Sequence, residues 1–156
     1  MKNIYLVIGL LIISFLFINF IVLDRGSFEE LILSKLENYD FSILDITHSE
    51  TVKYSRDNSK IISELLDYLK TLELEEFVFA QKVKNEPYNI RITGFEGLAR
   101  GSIYVVVNGK RYIDVYIVKS DSNKRSTILS KHYKITNADF DYDLLNKIID
   151  TMPLPR

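Results

Sequence analysis

Asp139, Asp141 and Asp143 alternate along the chain, and Asp150 stands at the twelfth position of the same run. Carboxylates so spaced can wrap a calcium ion, provided that glycine at the sixth position makes the sharp turn. Here that position is Leu144, and Leu144, Leu145, Ile148 and Ile149 recur at helical spacing. The pattern therefore predicts a helix where the loop would have to be, with aspartates at its start facing the positive end of the helix dipole. No metal site is expected.

Two histidines could act as bases. His48 shares the apolar parity of its strand, and His132 opens another. Each alone reads as a hydrogen-bonded structural residue; joined to a carboxylate, either could serve a small cell-envelope hydrolase. The chain has no cysteine, which excludes a thiolate nucleophile, a disulfide framework and cysteine-ligated metal. It has no nucleophile elbow and no H-E-x-x-H pair. Residues 94–101, "GFEGLARG", are glycine-rich but lack the Lys-Ser/Thr of a phosphate loop. No cofactor and no catalytic residue is assigned.

Residues 101–108 and 110–118 read as strands joined at Asn108-Gly109, a pair that tolerates the positive φ of a tight turn. With a two-residue loop, one face carries Ile103, Val105, Tyr112, Asp114 and Tyr116. The other carries Tyr104, Val106, Ile113, Val115 and Ile117 and makes the better core. Tyr112, Asp114 and Tyr116 then form a row of amphipathic rings around a carboxylate, suited to a protein partner because tyrosine is enriched at binding hot spots. The plainer reading is a sheet face covered by the helix that follows the apolar segment. Lys119, Lys124, Arg125 and Lys131, with Asp121 among them, read as a solvated loop.

Those candidates sit in a chain of 156 residues, enough for one domain. Residues 4–23, "IYLVIGLLIISFLFINFIVL", carry no charge, and at about 1.5 Å per residue they span roughly 30 Å as a helix, the thickness of a bilayer core. Cleavage after Gly26 or Ser27 would put Asp24 or Arg25 where a signal peptidase wants a small residue. The run is therefore expected to stay as an anchor in the lipid bilayer (domain 1–23), with the C-terminal domain outside the cell. The remainder holds 19 basic residues, after removal of Lys2, against 21 acidic ones. That balance lacks the footprint of a nucleic-acid binder.

Ser27-Phe28-Glu29-Glu30 fits a capping box and opens a juxtamembrane helix over 28–38, within a linker of 24–40. The domain proper is expected over 41–152, with 153–156 as a tail. Parity predicts a strand from 41 that turns near Ser49, then strands at 76–84, 88–94, 101–108, 110–118 and 132–136. Helical stripes run from Ile61 to Leu72 and from Phe140 to Ile149. The expected fold is α+β: a transmembrane helix, then an antiparallel sheet of five to six strands packed by two amphipathic helices.

With its polar-capped helix, its "NGKRYIDVY" hairpin and its "HYKITNADFDYDLLNKI" ending, the chain resembles a family of small membrane-anchored or secreted α+β proteins of Gram-positive bacteria. The likeness covers residues 41–152, implies fold and location, and brings no established activity. The 119–131 insert is longer and more polar than the likeness implies, and the lipid-attachment cysteine common there is absent. The expected function is an outward-facing binding or regulatory module without enzymatic activity. The alternatives are the envelope hydrolase and an immunity or inhibitor protein against a secreted partner.

Overall fold

Parallel rows of apolar side chains run across neighbouring strands: Leu44, Ile92, Ile103 and Ile117 in one, Ile46, Ile90, Val105 and Val115 in the next. All eight are buried. The structure, a computed structural model, describes residues 9, 23–49, 51–56, 58–78, 87–121 and 124–152. Its strands are β1 (Arg25–Ser27), β2 (Asp40–His48), β3 (Thr51–Arg56), β4 (Glu73–Phe77), β5 (Tyr88–Glu96), β6 (Ala99–Asn108), β7 (Tyr112–Asp121) and β8 (Lys124–Ile135). They form one antiparallel sheet in the order β1-β4-β8-β7-β6-β5-β2-β3.

Three short helices supply the cover: α1 (Phe28–Leu31), continued by a 3-10 turn over Leu33–Leu36, α2 (Ser59–Lys70) and α3 (Tyr142–Thr151). α2 leaves β3 at one edge of the sheet and delivers the chain to β4 near the other, so it must cross the face. Its Ile61, Ile62, Leu65 and Leu69 are buried, as are Leu145 and Ile148 of α3 and Phe28, Ile32, Leu33 and Leu36. All belong to the one core with the sheet rows. Asn58 caps α2 by accepting from the Ile61 amide, and Asp141 caps α3 by accepting from the Leu144 amide at 2.9 Å. Ser27 and Glu30 make the reciprocal capping box at 3.2 and 3.1 Å.

This architecture corrects the expected one. The molecule is mostly one eight-stranded sheet with three short helices, not five to six strands packed by two helices behind a transmembrane helix. No helix among the described residues is long and apolar enough to cross a membrane; residues 4–23, apart from Gly9 and Leu23, lie outside them. The juxtamembrane helix expected over 28–38 is one α turn over Phe28–Leu31 and one 3-10 turn over Leu33–Leu36, and residues 25–27 before it pair with β4 as a strand. The expected polar loop at 119–131 is the long arm of β7 and β8, paired from Asp121↔Lys124 onward. Its apolar residues, Ile128 and Leu129, are adjacent at a bulge, so alternation could not reveal it.

The β6–β7 hairpin also differs in register. Asn108 pairs with Tyr112, which leaves Gly109-Lys110-Arg111 as a three-residue loop with Gly109 at φ 68°. One extra loop residue reverses which β6 side chains share a face with β7. Ile103, Val105 and Val107 therefore join Ile113, Val115 and Ile117 in the core, while Tyr104 and Val106 turn outward beside Tyr116 and Asp114.

Candidate functional site

Every described helix packs on the core face, so the opposite face of the sheet is open among the described residues. Strand parity places Tyr112, Asp114 and Tyr116 there, with Tyr104 directly opposite Tyr116 and Val106 directly opposite Asp114. The helix expected to cover this row lies behind the sheet instead. Leu36 and Tyr39 of that segment press against Gly101, where a Cβ would come within 2.8 Å of both.

Asp114 is the polar centre of the face. Its Oδ1 lies 2.6 Å from His132 Nδ1, and its Oδ2 accepts from Asn108 Nδ2 at 2.7 Å. Antiparallel pairing sets this up, since Asp114 stands directly opposite His132 in the β7–β8 ladder. With the carboxylate as acceptor, a neutral His132 ring would carry its proton on Nδ1 toward the acid and leave Nε2 for other partners. Phe77 follows His132 across the next ladder, and its ring lies 5.8 Å from that of Tyr112. Aromatic rings thus flank an oriented histidine–carboxylate pair.

Two cells farther along the same face, Arg91 donates from Nε to Asp45 Oδ2 at 2.7 Å. That bond, with burial opposing it, holds the guanidinium charged beyond its ordinary range. Arg91, Arg100, Ser102, Tyr104, Val118 and Ser120 line a hollow of about 310 Å³. Beneath it the hydroxyls of buried Thr93 and Ser102 bond to each other at 2.9 Å.

The other sequence candidates lie elsewhere. His48 stacks flat on Tyr88, ring centroids 3.9 Å apart, on the core side of β2; its Nδ1 is buried without a partner. The two histidines do not meet. Asp141 is spent on the cap of α3, and Asp139 pairs with Arg111 at 2.6 Å, which holds its carboxyl below the usual range. Among the described residues no group of three metal-ligating side chains converges. Gly97, within the glycine-rich stretch, provides the positive φ of the β5–β6 turn.

Sequence reasoning placed Tyr112, Asp114 and Tyr116 on one face, as they lie, but left Tyr104, Val106 and Asn108 out of that row. A signal was present: Ile103, Val105 and Val107 match Ile113, Val115 and Ile117 in bulk, which favours the odd-length loop. Comparison adds no relative to this picture: no protein-family model matches the chain, and no curated protein or solved structure matches it.

Proposed function

We propose that this chain is a membrane-held binding module, without enzymatic activity, that presents the open face of its sheet to a protein partner outside the cell. The observation carrying the reading is the uncovered row of Tyr104, Tyr112 and Tyr116 around the fixed Asp114–His132 pair. Rigid tyrosines present large contact area at low entropic cost, and hydrogen-bonded polar groups between them add specificity. The location rests on the uncharged run 4–23, whose many Leu, Ile, Val and Phe residues each favour insertion by about 0.3–0.6 kcal/mol. Pull-down from membranes with full-length protein tests the binding, with Tyr112→Ser and Tyr116→Ser as the variants that should lose the partner. Protease shaving of whole cells tests the side; a domain protected there and digested in inverted vesicles sinks the outward orientation.

A second reading draws on one distance. His132 Nδ1 at 2.6 Å from Asp114 is how a general base is oriented in hydrolases. In that reading His132 Nε2 would take a proton from water at an envelope ester, amide or glycan. Turnover of cell-wall fragments by purified protein, abolished in His132→Ala, would favour it over simple binding.

A further inference from the structure

The chain joins the sheet abruptly. Leu23 closes the apolar run and Arg25 opens β1, so Asp24 alone separates them. Asp24 is clamped in place: its carbonyl accepts from the Glu76 amide at 2.8 Å, and Lys131 Nζ bridges its Oδ2 at 2.7 Å and Glu76 Oε2 at 2.8 Å. A sheet so joined has no stalk. It must sit within a few ångströms of wherever the apolar run ends.

Topology then says which end of the sheet comes near. β1 is antiparallel to β4, so the chain arrives beside the C-terminal end of β4. The row through Asp24 and Glu76 continues through Tyr133, Ile113, Val107 and Tyr88. Beyond that row, on the side from which the chain arrives, β5 runs on to Glu96, β6 starts at Ala99 and β7 runs on to Asp121. At about 3.3 Å per residue these arms project roughly 26 Å past the point of arrival.

Among the described residues, five large hydrophobic side chains are exposed: Val52, Val78, Phe95, Leu98 and Ile128. Three of them, Phe95, Leu98 and Ile128, lie on the projecting arms. Val78 directly follows β4 at the point of arrival, Phe95 and Leu98 form the β5–β6 tip, where Leu98 is 92% exposed, and Ile128 is on the β8 arm. Single exposed apolar residues need no explanation, but three on two neighbouring arms do. Val52 pairs with Thr47 at the far edge of the sheet, one row past the point of arrival and well short of the arm tips. Lys119 and Lys124 stand on these arms, and so do Glu96 and Asp121, so apolar contact rather than net charge must carry any binding there.

We propose that the projecting β5–β6 and β7–β8 arms rest in the headgroup–acyl boundary of the bilayer, with Leu98, Phe95 and Ile128 as the immersed side chains. The inference rests on the membrane-held reading above, and it fixes how the domain lies: arms down on lipid, the tyrosine face turned aside from it. Shallow insertion of a few apolar side chains is enough to orient a domain already tethered beside them.

The chain contains no tryptophan, so one introduced residue reports alone. Full-length Leu98→Trp, reconstituted in phosphatidylcholine vesicles, should show blue-shifted emission and lose intensity when the lipid chains are brominated. Ile128→Trp should behave likewise, and Val52→Trp, on the edge strand β3 away from both arm tips, should be neither shifted nor quenched. Water-like, unquenched emission from Leu98→Trp and Ile128→Trp in protein that still floats with the vesicles overturns the arm contact alone. Blue-shifted emission that bromination leaves untouched also overturns it, in favour of a protein covering the arms. Failure of the wild-type chain to float overturns the membrane-held reading beneath it.

Discussion

His132 and Asp114 face each other across the β7–β8 ladder with Nδ1 and Oδ1 2.6 Å apart, and Asn108 holds the other oxygen of the same carboxylate. The carboxylate should fix the neutral imidazole as its Nδ1–H tautomer. Nitrogen-15 spectra of labelled protein should show that form for His132, and Asp114→Ala should shift it toward Nε2–H. A predominant Nε2–H signal in the wild type contradicts the pairing. Loss of the partly buried acceptor should also cost about 1–2 kcal/mol in urea unfolding.

Tyr112 and Tyr116 are half-buried on an open face, so their loss should be felt in binding and little in folding. Tyr112→Ser and Tyr116→Ser should each lower stability by about 1 kcal/mol or less. Each should weaken a partner that uses them as anchors by about 2 kcal/mol, roughly 30-fold. Wholesale loss of helix and sheet signal in circular dichroism would show that the face is core.

How far the sequence discloses this face depends on particular residues. Parity exposed the apolar faces of β2, β5 and β7, and helical spacing exposed α2 and α3, because each buries one side only. β1 escaped because three residues carry no period. β8 escaped over 124–131 because its apolar residues, Ile128 and Leu129, stand side by side at a bulge and break the alternation. The face assignment of Tyr104 turned on one loop residue that Asn108-Gly109 alone does not settle. The histidine–carboxylate pair joins residues 18 apart and follows from strand register, which no local pattern encodes.

Gly101 admits no side chain. Its Cβ position lies 2.8 Å from Leu36 Cδ2 and from two ring atoms of Tyr39, both side chains being in the core. Gly101→Ala should therefore force the 3-10 segment off the sheet or strain it, at about 1–3 kcal/mol. The midpoint of urea unfolding measures this. An unchanged midpoint would mean that the segment packs more loosely than the structure shows.

Alkaline titration should find the β1–β4–β8 corner. Burial pushes the Tyr133 hydroxyl up to about 12. Burial alone would lower the Lys131 ammonium, but its bonds to Asp24 and Glu76 outweigh that and raise it. Both groups have folded values above their unfolded ones, so the stability they contribute is complete below about pH 10. It should fall as pH rises through the folded value of about 12 for Tyr133. Tyr133→Phe should flatten that decline when stability is measured from pH 9 to 12.

The edge-to-edge passage of α2 has a consequence for the order in which the molecule is assembled. β1 finds its neighbour only at Glu73–Glu75, and β4 finds its second neighbour only at His132–Ile135. The strand next to the apolar run is thus among the first parts synthesised and among the last to be locked. Pairings so distant in sequence are slow to close. In the membrane-held arrangement proposed above, the apolar segment would enter lipid long before the sheet that fixes its exit exists. The sheet would then complete itself around a point already held.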